Sequence, residues 1–207
     1  MKKIIIAIDS FKGCLTSAEA GKAAEKGIKS INPSCHTSVI PIADGGEGLL
    51  DVLITATKGK YITLSAHGPL MKMTKTHYGL SGNGRTAIIE MAAISGLPLV
   101  PIEQRNPMLT TTFGTGELIK DALNKGCRNF IIGIGGSATN DAGLGMLQAL
   151  GFRFLDKSGH TLGTGGQIME AVANIDTSGI HPALRETHFM VACDVANPFY
   201  GPDGAAY

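Results

Sequence analysis

An excess of charge of either sign is missing from this chain: 18 lysines and arginines stand against 17 aspartates and glutamates, for a formal net charge of +1. That balance removes the electrostatic case for nucleic acid or an anionic membrane as the main partner, and leaves a small molecule as the default ligand. Cysteine is sparse and scattered. Cys14, Cys35, Cys127 and Cys193 form no C-x-x-C pair and have no histidine pattern beside them that would make a zinc site, so they read as reduced thiols. No stretch approaches the roughly 18 apolar residues of a membrane span. The apolar run of the opening MKKIIIAIDS ends at Asp9, too short for the core of a secretion signal, and a cytoplasmic location is the expectation. The common phosphate-binding signatures are also missing: there is no G-x-x-x-x-G-K-[ST], no H-R-D and no D-F-G. The six histidines show no ligand spacing and read as surface or structural residues, and no internal repeat is present.

Glycine is abundant instead. The 28 glycines among 207 residues are about twice the average usage, and they cluster in short loops, which predicts backbone approaching a ligand at several places. Around those loops the pattern is α/β. Lys3 to Ile8 is an unbroken Ile/Ala run, the pattern of a parallel strand buried on both faces. Thr16 and Glu19 form a T-x-x-E capping box, followed by Ala20, Ala24, Ile28 and Ile31 at helical spacing until Asn32-Pro33. His36 to Ile42 repeats the strand, Ala43 to Gly48 the glycine loop, and Glu47 to Thr57 the helix. These two β-loop-α units imply right-handed crossovers and a parallel sheet. After Gly59 come closely spaced strands, Tyr61 to Ala66, Met71 to Leu80 and Arg85 to Met91, whose short connections imply antiparallel pairing. The alternation then returns: a helix over Gly114 to Lys125, a strand over Asn129 to Ile134, a helix over Asp141 to Leu150, a strand over Phe152 to Leu155, a helix over Gln167 to Ala173 and a strand over Phe189 to Cys193. Two parallel strands do not make a covered sheet by themselves, so either later strands return to the first sheet or the chain is part of a longer protein, and Gly201 to Tyr207, which reads as the inside of a loop, favours the second.

Three loops carry acids: IDSFKG (Ile8 to Gly13), ADGGEG (Ala43 to Gly48) and GIGGSATNDAG (Gly133 to Gly143). The first two put Asp9 and Asp44 at the carboxyl ends of adjacent strands, where open α/β sheets bind ligands. The plainer reading is that these aspartates cap helices or turn the chain. Asp44 and Glu47 bracket two glycines, so their carboxylates can converge to hold a hard cation or to orient and deprotonate a hydroxyl. Gly133, Gly135 and Ala138 match a dinucleotide fingerprint, with Asp156 further on. Against that match, Thr139 to Gly143 prolong the loop before the helix, and Asp141 would repel a bare pyrophosphate. A phosphate bridged by Mg²⁺ would not be repelled, and Asn140 with Asp141 is an oxygen-ligand pair for such a metal. GTGEL at Gly114 to Leu118, preceded by Thr110 to Thr112, is a helix N-terminus that offers donors to an anion or is an ordinary cap. Asp194 repeats the layout of an acid after a strand.

With these residues in hand, the chain resembles the bacterial glycerate kinase family. The resemblance rests on IDSFKGCLTSAEA, PIADGGEG, TTTFGTGELI, GIGGSATNDAG and ACDVANP, which follow one another from end to end of the chain. It implies a Rossmann-like parallel-sheet domain joined to a second, mixed α/β domain. Residues 1–59 would then begin the first, whose remainder lies beyond residue 207, and residues 60–207 would belong to the second. The implied activity is ATP-dependent phosphorylation of a glycerate hydroxyl in the cytoplasm, with ATP and Mg²⁺ as cofactors and either 2- or 3-phosphoglycerate as product. Glycerate and ATP are then the partners, with neither nucleic acid nor membrane involved and a homo-oligomer left open. In that setting the Gly135-Gly136-Ser137 backbone, Thr139 and Asn140 are assigned to nucleotide phosphate, and Asp141 with Asn140 to the metal. Asp44 and Glu47 are assigned to the substrate hydroxyl, with Lys12 and Asp9 beside them as catalytic residues; Ser10 and Lys12 are assigned to a carboxylate or phosphate and Asp194 to the substrate, with a structural or metal-linked role the alternative for Asp9 and Asp194. Arg85 and Arg105 remain open for the substrate carboxylate. A nicotinamide-dependent oxidoreductase using the G-x-G-x-x-A loop, or a non-catalytic ligand-binding module, are the alternatives.

Overall fold

The computed structural model describes residues 3–11, 13–193, 196–198 and 200–204. Two strands open the chain, β1 (Lys3–Ile6) and β2 (His36–Val39), paired in parallel with Lys3 opposite His36. They are joined through helix α1 (Ser17–Ile31). The capping box is present: Glu19 N–H donates to the Thr16 hydroxyl at 3.2 Å and Thr16 N–H donates to the Glu19 carboxylate at 2.9 Å, so two of the helix's first N–H groups are satisfied. Both strands stop short of the expected Ile8 and Ile42, and the cause is one hydroxyl. Ser17 Oγ donates to Ile8 O at 2.6 Å and accepts from Ile42 N–H at 3.0 Å, so these backbone groups bond to a side chain rather than to each other. Burial on both faces is also not observed. Only Ile6 of β1 is buried, because among the described residues this sheet has two strands and one covering helix.

The second helix, α2 (Leu49–Thr57), leads into a five-stranded sheet. Strands β3 (Lys60–His67), β4 (Met73–Leu80) and β5 (Thr86–Glu90) form the antiparallel meander that the short connections imply. A one-turn helix, α3 (Ala92–Ser95), leads through two 3₁₀ turns to α4 (Phe113–Asn124). Strand β6 (Asn129–Gly133) then returns parallel to β5. Helix α5 (Leu144–Ala149) starts three residues later than expected, since Ala142 (φ 50°) and Gly143 (φ 75°) are both left-handed and keep the chain in a loop up to Leu144. Two short strands, β7 (Arg153–Leu155) and β8 (Asn174–Asp176), form a separate two-stranded antiparallel sheet. The helix expected over Gln167 to Ala173 is a 3₁₀ turn, Gly166–Ala171. Strand β9 (His188–Ala192) completes the sheet beside β6, giving the order β3-β4-β5-β6-β9.

Alternation along β5 decides what covers the sheet. Ile89 joins Tyr78, Phe130, Leu118, Ile119 and Leu123 in a core beneath α4, while its neighbour Ile88 points to the other face and packs with Leu50 and Ile54 of α2. All of these residues are essentially sealed from water, and each fully buried Ile or Leu contributes about 1.5–3 kcal/mol of transfer free energy. Helix α2 therefore packs on the larger sheet, although it precedes residue 59. Gly79 makes that seat possible, because a Cβ there would lie 2.5 Å from Leu50 Cδ1 and 2.6 Å from Ile54 Cδ1. We expect Gly79→Val to lower stability by about 1–3 kcal/mol through overpacking, read from the urea midpoint. An unchanged midpoint would mean that α2 is not seated on this face.

Candidate active site

The carboxyl ends of three adjacent parallel strands lie side by side, because the ladder places Glu90 opposite Gly133 and Gly133 opposite Ala192. The ADGGEG loop crosses this edge. Glycines on both loops allow a very close approach there. A Cβ on Gly133 would sit 2.5 Å from Gly45 O, one on Gly135 2.7 Å from Gly46 Cα, and one on Gly45 2.8 Å from Ala192 O. Here the glycines allow one loop to lie against another, backbone to backbone.

Two adjoining cavities of about 450 and 440 Å³ open along this contact, each in the range of a small-molecule site. The first is lined by Ser10, Thr16 and Glu19 among others, the second by Asp44, Gly135 and Gly136, and both by Glu47, His77 and Glu90. Residues from all three acid-bearing loops thus face one crevice. Asp44 and Glu47 are exposed in it, and one Asp44 oxygen accepts Gly46 N–H at 2.9 Å, which stiffens the turn. Asp9 turns back on its own loop and accepts Ser10 N–H at 2.6 Å. Lys12 and Asp194 lie outside the described residues.

The glycine loop divides two spaces. Leu97 N–H donates to Gly136 O and Ala138 N–H donates to Ser95 O, both at 2.9 Å, so Gly136 to Ala138 are held as a short strip against residues 95–97. Gly135 and Gly136 face the crevice. Ser137, Thr139 and Asn140 line a separate cavity of about 350 Å³ together with Arg105. The backbone and side-chain atoms assigned together to phosphate are therefore split between two walls. Arg85 sits in the exposed turn before β5, at the opposite end of that strand from the crevice.

Asp141 departs furthest from expectation. It is 1% exposed, and both of its oxygens face protein donors. Thr112 N–H at 2.8 Å, Gly145 N–H at 3.2 Å and Gly143 N–H at 3.0 Å all donate to it, as do the hydroxyls of Thr112 and Thr111. Thr112 and Gly145 stand at the first turns of α4 and α5, so two helix N-termini converge on one carboxylate. Of the two readings of GTGEL, an anion site or an ordinary cap, the start of α4 shows Thr112 N–H donating to a protein carboxylate, Asp141. Asp141 and Asn140 therefore face different spaces: the first is sealed inside with both oxygens bonded to protein donors, and the second lines the Arg105 cavity. Among the described residues no three His, Cys, Asp or Glu side chains are grouped to hold a metal.

His77 and Glu90 were missed from the sequence. Glu90 directly follows the apolar run Ala87-Ile88-Ile89, the same acid-after-strand signal as Asp9, but there it reads as one more strand residue. It is largely buried, and withdrawal from water raises its carboxyl above the usual range despite the N–H groups of Leu50 and Gly48 that favour its charged form.

A family model described as the glycerate kinase family matches residues 4–207. The chain belongs to the glycerate kinase family. It is 54% identical over 203 residues to a glycerate kinase of Bacillus subtilis, covering 98% of this chain and 53% of that protein. To the glycerate 2-kinase of Escherichia coli it is 49% identical over 204 residues, covering 99% and 54%. A crystal structure of a Salmonella typhimurium LT2 protein named for glycerate kinase 2 superimposes with a TM-score of 0.87 at 48% identity, over 99% of this chain and 55% of that one. The chain thus spans about half the length of these glycerate kinase relatives. The structural likeness extends to the mixed α/β architecture with its partly parallel central sheet. No helix among the described residues is long and apolar enough to cross a membrane.

Asp141→Ala should remove this clamp and leave five donors without their acceptor. The expected loss is on the order of 3 kcal/mol, measured by chemical denaturation. A loss below about 1 kcal/mol, within the effect of an average substitution, is incompatible with the clamp.

Proposed function

We propose that this chain provides the substrate crevice of a glycerate kinase, transferring the γ-phosphoryl group of ATP to a glycerate hydroxyl. One observation carries the reading. Three loops separated in sequence by tens of residues bring Ser10, Asp44, Glu47, Gly135 and Gly136 to the walls of one crevice, at the strand ends where α/β sheets bind ligands, in a chain of this family.

Phosphoryl transfer asks the protein mainly to position the hydroxyl in line with the phosphorus and to stabilise charge on the transferring oxygens. Asp44 is the group to orient the glycerate hydroxyl and take its proton. It is an exposed carboxylate on a stiffened turn, and Gly46 N–H occupies only one of its oxygens. Glu47 stands beside it on the same wall. The N–H groups of Gly135 and Gly136 donate to no backbone carbonyl outside regular elements among the described residues and are the donors for phosphate oxygens. Ser10, in the first cavity, is placed to bond the far end of the substrate. In the neighbouring cavity, Arg105 with Ser137, Thr139 and Asn140 offers a guanidinium and hydroxyls to the nucleotide's remaining phosphates.

The full-length protein carrying this chain should release ADP from ATP in a glycerate-dependent manner in a coupled assay, and the phosphorylated position is then read from the product. Asp44→Asn should lower kcat about 10²–10⁴-fold with folding intact. A kcat close to wild type would remove Asp44 from the proton-accepting role, and ADP release indifferent to glycerate would overturn the substrate.

A further inference from the structure

Helix α2 begins without a cap of its own. Its N-cap residue is Gly48, left-handed at φ 93° and lacking any side chain to bond the first N–H groups. The missing acceptor comes from another element: Glu90 Oε1, at the end of β5, accepts Leu50 N–H at 2.8 Å. The same residue lies opposite Gly133, where the glycine loop begins, and Met91 N–H extends the register by donating to Gly133 O at 2.9 Å. One carboxyl therefore touches the start of α2, directly behind Asp44 to Gly48, while its own strand is laddered to the start of the glycine loop. It also lines both cavities of the crevice.

We propose that Glu90 is a positioning residue, a helix cap supplied from β5 that sets the Asp44–Glu47 loop against the glycine loop after β6. Its kinetic consequence rests on the glycerate kinase reading, whereas its structural consequence does not. The role requires an acceptor oxygen at this point rather than a negative charge. The surroundings agree: Asp51 of α2 disfavours the charged form and His77 of β4 favours it, with burial outweighing both, and Glu47 faces the same space. Glutamine, which keeps the acceptor and the length, should therefore substitute where alanine fails.

The test uses the full-length protein and compares Glu90→Ala with Glu90→Gln by steady-state kinetics and by hydrogen–deuterium exchange over residues 44–52. Glu90→Ala should lower kcat on the order of 10²-fold by misplacing the loop, with little change in KM for ATP, and should speed exchange over 44–52. Glu90→Gln should recover most of the lost kcat and restore slow exchange. Equal damage in both variants would show that the charge itself is required and would overturn the proposal, as would wild-type kcat and exchange in Glu90→Ala. If the wild-type protein does not phosphorylate glycerate, the functional reading fails. The exchange comparison then decides on Glu90 by itself: faster exchange in alanine but not in glutamine upholds the cap, and equal exchange rejects it.

Discussion

A buried carboxylate is tolerable only when its oxygens are bonded, and Asp141 meets that condition by drawing five donors from four residues onto itself. The arrangement imposes geometry on everything around it. Helices α4 and α5 must bring their first turns together, which is possible because Gly116 lies against the Met146 carbonyl and Gly145 against the Thr111 hydroxyl. The loop between β6 and α5 must then turn through two consecutive left-handed residues to deliver the acid inward. Residues of its preceding segment, Gly135 to Asn140, line two of the cavities. A charge that looks misplaced in a glycine loop is what anchors that loop.

The crevice follows from a second constraint, the closeness of two glycine loops. Side chains at Gly45, Gly133 or Gly135 would separate ADGGEG from the strand ends, and the walls of the two cavities would part. Position is then refined by neighbours on the sheet. Strands β5, β6 and β9 end in register, so Glu90 and the start of the glycine loop at Gly133 arrive at one level.

Much of this was legible in the sequence wherever the cause is local. The Thr16–Glu19 box, the parallel pairing of the first two strands and the antiparallel meander after Gly59 follow from spacing and loop length alone. The placing of IDSFKG and ADGGEG at the ends of adjacent strands was legible for the same reason, since each follows an apolar run. What was not legible depends on partners far along the chain. Asp141 reads as a metal ligand until Thr111 and Thr112, about thirty residues earlier, are seen to fold over it. Glu90 reads as a strand residue until α2, forty residues earlier, is seen to begin without a cap. The glycines announce close approach, but their sequence does not say whether the visitor is a ligand or another stretch of backbone.

The hydroxyl of Ser17 deserves a different description from the one its hydrogen bonds suggest. By receiving Ile42 N–H and reaching Ile8 O, it replaces direct rungs of the β1–β2 ladder with an oxygen bridge two bonds long. The strand pairing itself ends before it, at Ile6 and Val39. The segments beyond it, released from the ladder, supply Ser10 from one loop and Asp44 and Glu47 from the other to the walls of the crevice.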